Sequence, residues 1–188
     1  MIEILGDYNV KATFFIVGAW ADKYPEEVKK LNNSGHSVQN HSNSHPYMTK
    51  ISENEMIAEI TACNEKIEAL TGTKPTLFRP PYGDYNNDVI DVVYSQKMYP
   101  IQWSVDSLDW MEKSTPDSII ENVVGKVTDG SIILMHNDAE HTPEALPTIL
   151  KTLQDKGYEF VPIVDLIYID NYYIEHDGTQ CKTKSELE

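Results

Sequence analysis

The sequence predicts an α/β fold in which parallel strands are joined by helical crossovers. Short β-rich runs alternate regularly with helical stretches, and the strand candidates are apolar almost throughout instead of alternating with polar residues. No internal repeat, low-complexity tract or linker interrupts this pattern. At 188 residues the chain suits one domain with a proper core.

The strand candidates are KATFFIVG (11–18), HSVQN (36–40), TLFRP (76–80), YPIQWSV (99–105), SIILMH (131–136) and YEFVPI (158–163). Helical stretches lie near 24–34, 53–71, 86–96, 116–126 and 143–156. The second is the best signalled: Ser52 and Glu55 match a capping box, and Ile57, Ile60, Ile67 and Leu70 form one apolar stripe. Thr115-Pro116 marks another helix start, with proline at the first helical position. The DG at 129–130 and KG at 156–157 supply stops before the following strands. Six such strands fit either an open doubly wound sheet or a barrel-like closure. No glycine-rich phosphate loop follows any of them, which counts against dinucleotide binding. Beyond about residue 168 the chain turns polar and loses periodicity, so a domain over 1–168 precedes a short segment and loose tail over 169–188.

Thirty acidic against 15 basic side chains give a formal charge of −15. Such a surface repels phosphate backbones and anionic lipid, so neither nucleic acid nor a membrane surface is an expected partner. Neutral and cationic substrates remain. The apolar runs fall far short of the roughly 20 residues that span a bilayer, and the N-terminus shows no signal-peptide pattern. Cys63 and Cys181 make no disulfide framework and read as unpaired.

The unusual polar residues gather at strand ends. His41 and His45 follow the second strand in HSNSH, and Arg79 ends the third in FRPPYG. Asp106 and Asp109 follow the fourth in WSVDSLDW, and His136 ends the fifth. In parallel α/β folds the loops at the carboxyl ends of strands build the site. Histidines four apart share a face of a helical turn and can reach one ion, although a catalytic zinc usually takes three protein ligands and the third is not evident. In FRPPYG two prolines remove backbone donors, leaving the Tyr82 and Gly83 amides to face a ligand, and Arg79 can hold a carboxylate. A buried aspartate beside His136 would keep it protonated as a general acid; DSLDW also fits an acidic loop with a half-buried tryptophan. His36 reads as packed, and His141 as solvated. His176 carries no argument. The 11 tyrosines suit sugar stacking or a tyrosine-rich core equally.

With these residues the chain resembles the polysaccharide deacetylases, carbohydrate esterase family 4. The likeness runs through KATFFIVG, GHSVQNHSNSH, FRPPYG, VDSLDW, IILMH and ALPTILKTLQDKGYEFVPIVDL, about residues 4–166 in order. It implies a distorted (β/α) barrel of about seven strands and a hydrolase that uses a divalent metal, commonly zinc, to remove acetyl groups from carbohydrate. N-acetylglucosamine in peptidoglycan or a related glycan is the implied substrate, with O-acetyl xylan the alternative and an extracellular or cell-wall location. The resemblance makes His41 and His45 metal ligands and His136 the general acid. Asp109 would tune His136, and Arg79 would position the base. The Tyr82 amide would help hold the oxyanion, and Trp110 and Leu134 would line the pocket for the acetyl methyl.

One motif of that family is missing. Its members carry paired aspartates on the first strand, one the base and one the third metal ligand, and this sequence has no adjacent aspartate pair. The expectation is that Met1 is an internal methionine and that the strand with these aspartates lies upstream. The competing expectation is a non-catalytic member that binds glycans.

Overall fold

The computed structural model describes residues 1–175 and 177–183. His176 and the last five residues of the expected tail lie outside them. In chain order the elements are α1 (Ile2–Asp7), β1 (Thr13–Ile16), α2 (Gly18–Lys23), α3 (Pro25–Asn33), β2 (Ser37–Asn40), α4 (Glu53–Thr71), β3 (Leu77–Phe78), α5 (Asn87–Ser95) and β4 (Tyr99–Pro100). There follow β5 (Val105–Asp106), α6 (Pro116–Val124), β6 (Ile133–Leu134), α7 (Thr142–Asp155), α8 (Ile163–Leu166), β7 (Tyr172–Ile174) and β8 (Gln180–Lys182). The architecture is α/β with parallel sheets, as the alternating pattern implies. Two compact units divide the chain: Ala12–Gln102, and Met1–Lys11 with the residues from Trp103 onward.

In the Ala12–Gln102 unit, β1 to β4 form a four-stranded sheet in sequential order, every pair parallel. Sequential parallel pairing makes each carboxyl end a neighbour of the next, which places the loops after β2 and β3 side by side. Its core includes Met48, Met56, Ile60, Phe78, Val89, Val93 and Met98. Helix α4 begins as the capping box requires: Ser52 Oγ accepts from Glu55 N, and Glu55 Oε2 accepts from Ser52 N at 2.8 Å. It ends at Gly72, whose φ of +73° is left-handed. Its buried face is Met56, Ile60, Cys63, Asn64 and Ile67, with Ile57 packed at the margin, so the apolar stripe is rotated from the expected one. His36 is buried edge-on to Phe14, as its place after a glycine turn implies.

In the other unit β5 and β6 pair in parallel, and Val105, Ile119, Val123, Ala145, Ile149 and Leu153 form the core. Thr115 caps α6, with Pro116 in its first turn. Gly130 and Gly157 take positive φ as the stops require. Three expectations fail. The run 99–105 is not one strand but two, β4 and β5, separated by an irregular stretch. YEFVPI forms no strand among the described residues: Tyr158 and Phe160 pack against the helical core, and α8 begins at Ile163. The segment after 168 is not all loose tail: β7 and β8 form an antiparallel hairpin. Both cysteines are free, and Cys63 Sγ–H donates to the Ile16 carbonyl at 3.4 Å. Among the described residues no helix is long and apolar enough to cross a membrane.

Replacing Ser52 with alanine removes the acceptor for the Glu55 amide and one arm of the capping box. Urea unfolding should then show a loss of about 1 kcal/mol, the usual worth of such a cap.

Candidate active site

Chemistry-bearing residues gather in both units, each time just past the carboxyl ends of parallel strands. In the Ala12–Gln102 unit the HSNSH loop leaves β2. It is not the helical turn that the histidine spacing suggests: Ser42 and His45 both have φ of +65°. Local side chains compete successfully with a helix here. The buried Asn40 Oδ1 accepts from Ser42 N at 2.7 Å, and Ser42 Oγ accepts from His45 N at 2.9 Å. Glu59, on α4, clamps the outer side of the loop; its carboxylate accepts from the Asn43 and Ser44 amides and the Ser44 hydroxyl at 2.7–2.8 Å. Gly18 is required beneath it, since a Cβ there would stand 2.5 Å from Asn43 Oδ1 and 3.2 Å from Asn43 Cα.

The result brings His41 Nε2 and His45 Nε2 to 3.2 Å. His41 Nδ1–H donates to the Arg79 carbonyl at 2.7 Å, which leaves its Nε2 lone pair turned toward His45. Two nitrogens each about 2.05 Å from a tetrahedral zinc stand about 3.3 Å apart, so the pair fits one ion. Among the described residues no group of three or more His, Cys, Asp or Glu side chains is arranged to hold a metal.

Arg79 is buried, its guanidinium 4.3 Å above the Phe15 ring with Nη2 donating to the Gln102 carbonyl at 3.4 Å. Burial lowers its pKa to about 10, which leaves it charged at neutral pH. In the turn after Arg79, the Gly83 amide donates to Pro80 O and the Asp84 amide to Pro81 O. Gly83 therefore does not offer its amide to a ligand, contrary to expectation. Tyr82 is left-handed, with φ of 60°.

In the unit from Trp103 onward, Asp109 and His136 lie beyond the ends of the paired strands β5 and β6. Asp109 is the carboxylate that meets His136: Oδ1 accepts from His136 Nδ1 at 2.7 Å, and Oδ2 accepts from His136 N at 2.7 Å and Thr142 Oγ at 2.6 Å. Asp106 instead accepts from Leu108 N at 2.8 Å, turning the chain into its left-handed Leu108. Burial pushes the Asp109 carboxyl up, but the hydrogen bonds from His136 and Thr142 outweigh it and the net direction is down. The hydrogen bond to Asp109 raises His136 above the usual 6.5 against the opposing effect of burial, helped by the charges of Asp109, Asp138 and Asp106. Trp110 is 58% exposed, not half-buried, and Leu134 is partly buried on β6.

Asn40, Glu59 and Thr142 escape a reading by motif. Glu59 and Thr142 act on residues distant in sequence and Asn40 on Ser42 two residues on, and the only hint was position: Asn40 ends a strand, Glu59 lies one turn past the capping box, and Thr142 precedes a proline in a helix's first turn.

Residues 1–101 match the polysaccharide deacetylase family model. The chain belongs to that family. It is 37% identical over 167 residues to a peptidoglycan-N-acetylglucosamine deacetylase of Bacillus cereus, covering 87% of this chain and 60% of that protein. Among solved structures it resembles the Bc1960 peptidoglycan N-acetylglucosamine deacetylase, with a TM-score of 0.85 and 35% identity over 88% of this chain and 79% of the other. It is equally similar to BA3943 of Bacillus anthracis, described as a CE4 family pseudoenzyme, with a TM-score of 0.84 and 35% identity over 88% and 58% of the two chains. The chain spans 52% to 60% of the length of the first two curated relatives it matches.

Two measurements probe these clusters. The His136 ring should titrate above 6.5 by NMR, and Asp109→Asn should move it down toward that value. The sign follows for stability: His136 contributes fully below pH 6.5, and its contribution fades as pH rises through the raised folded value. Removing the clamp with Glu59→Ala should speed hydrogen exchange at the Asn43 and Ser44 amides by about tenfold, the worth of one charge-assisted hydrogen bond.

Proposed function

We propose that this chain is the deacetylating part of a metal-dependent carbohydrate hydrolase, acting on N-acetylglucosamine residues of peptidoglycan at the cell wall. The observation that carries this reading is the pair His41 and His45, whose Nε2 atoms converge at 3.2 Å while the Arg79 carbonyl fixes the His41 tautomer. The Bacillus relatives named for peptidoglycan deacetylation support the substrate class, and the −15 charge suits a glycan better than a polyanion.

His41 and His45 are the residues that would hold zinc. A divalent ion bound there supplies Lewis acidity toward water and the acetyl carbonyl. The remaining work belongs to the chain. The Tyr82 N–H donates to the oxyanion as the carbonyl becomes tetrahedral. His136, held through Nδ1 by Asp109, carries its transferable proton on Nε2 and gives it to the departing amine as the C–N bond breaks. Water supplies the oxygen of the new C–O bond and releases its protons to solvent, solvent returns one to His136 Nε2, and acetate and the free amine are the products. The family resemblance assigns Trp110 and Leu134 to the acetyl methyl. Arg79 acts as a positioning residue through its carbonyl on His41 and its buried charge.

A second reading, a glycan binder without turnover, is favoured by one observation: the similarity to BA3943, described as a CE4 family pseudoenzyme. Zinc content and acetate release from peptidoglycan, N-acetylglucosamine oligomers and O-acetyl xylan separate the readings. Release from the first two supports our proposal, release from xylan alone reassigns the substrate, and glycan binding without release establishes the binder. In an active protein, His136→Ala should lower turnover by about 10²–10⁴ while zinc content is kept.

A further inference from the structure

Four aromatic rings touch in a row that ends at the histidine pair. Tyr47 is stacked on Tyr82, with centroids 4.1 Å apart and planes inclined by 13°. Tyr82 meets His45 at 4.5 Å and 70°, and His45 meets His41 at 4.8 Å and 74°. The row is held at both ends. At one end His41 is tied through Nδ1 to the Arg79 carbonyl. At the other, Tyr47 leads into a 3₁₀ turn, Met48–Lys50, in which Met48 is wholly buried and Lys50 N donates to the Tyr47 carbonyl. Asp84 joins this turn to the one that carries Tyr82, its carboxylate accepting from Thr49 N at 2.8 Å and Thr49 Oγ at 2.9 Å. Tyr82 itself is held at φ 60°, ψ 6°, a conformation unfavourable for a large side chain.

The torsion that turns an imidazole about its Cβ–Cγ bond is broad, so a histidine keeps its ring direction only where neighbours impose it. For His41 the Arg79 carbonyl is such a neighbour, and for His45 the Tyr82 ring is one. Tyr82 is 56% exposed, so the core does little to hold its ring. Tyr47 supplies the flat face on which that ring rests, and aromatic pairs gain from such contact beyond the area they bury. With Tyr47 stacked on it and His45 against it, Tyr82 is occupied by the protein's own rings. We propose that Tyr47 is a positioning residue for the histidine pair: it backs the Tyr82 ring against His45 and so keeps His45 Nε2 turned toward His41 Nε2. This rests on the reading of His41 and His45 as the residues that would hold zinc. It adds a side chain that acts on the pair only through another ring.

The test uses the whole chain, first without metal and then with zinc. Ring order at His41 and His45 is read from NMR relaxation of the imidazole C–H groups, and the zinc dissociation constant from chelator competition. Tyr47→Ala should lower the order parameter of the His45 ring by about a third, from the rigid toward the flexible range, while His41 keeps its own. Zinc should bind about tenfold more weakly, as on loss of a group that orients a metal ligand. Tyr47→Phe, which keeps the ring, should match the parent in both measurements. Hydrogen exchange at the His45 and Thr49 amides, bonded to Ser42 Oγ and Asp84, should stay unchanged in both variants. Parent-like ring order or zinc affinity in Tyr47→Ala overturns the assignment, as does a Tyr47→Phe variant as weak as Tyr47→Ala. Faster exchange at those two amides overturns it too, because Tyr47 is then a structural part of the loop. Ring order and zinc affinity that depend on Tyr47, with no acetate released, leave the positioning role standing and remove the deacetylase reading. Acetate release with Tyr47→Ala indistinguishable from the parent does the reverse.

Discussion

The side chain of Asn40 is wholly buried, and the way its hydrogen bonds are met fixes the loop that carries the histidine pair. Its amide donates to the Ile60 carbonyl and to Asn64 Oδ1, each at 2.8 Å, which ties the end of β2 to α4. Its Oδ1 accepts from Ser42 N and turns the chain into a left-handed residue. Its backbone carbonyl accepts from Arg79 N at 3.0 Å, and Arg79 then presents its own carbonyl to His41. The side chain of Asn40 thus sets strand end and loop direction, while its backbone carbonyl seats the residue whose own carbonyl fixes the imidazole tautomer. A buried polar group left without a partner costs about 1–3 kcal/mol, so these bonds act as one constraint rather than as independent contributions.

Asp109 plays the corresponding part in the other unit. Burial alone would favour its neutral form, yet three donors converge on its two oxygens and keep it ionised. The ionised carboxylate in turn holds the proton on His136. Thr142 matters here because it satisfies the second oxygen, so that His136 does not have to supply every hydrogen bond the carboxylate needs. In both units a backbone group shares the work with side chains, which limits how far the functional ring can swing.

Much of this was legible in the sequence because it is local or periodic. The capping box at Ser52, the helix start at Thr115-Pro116, the glycine stops and the strand-end placement of His41, Arg79, Asp109 and His136 follow from short-range pattern. The failures have a common cause in long-range competition. YEFVPI has strand composition, but its aromatics pack against the α6–α7 core and it forms no strand among the described residues. HSNSH has helical spacing, but Asn40 and Glu59 offer its amides better acceptors than a helical turn does. The hairpin after residue 168 pairs Tyr172–Ile174 with Gln180–Lys182 across a polar turn, and such polar composition gave no apolar period to detect. The exposure of Tyr47 and Tyr82 was equally hidden, since composition does not say which of 11 tyrosines stay in solvent.

The separateness of these constraints bears on how activity can be lost within the family. The histidine pair is held by Arg79 O, Asn40 and Glu59, none of which is a carboxylate pointed at a shared ion. It therefore keeps its spacing whether or not a third ligand is present, through a hydrogen bond between the two imidazoles. The His136–Asp109 pair is built from its own unit's residues in the same way. Neither cluster therefore depends on any further ligand or base for its own geometry. Retention of both clusters is then what the local physics produces by default.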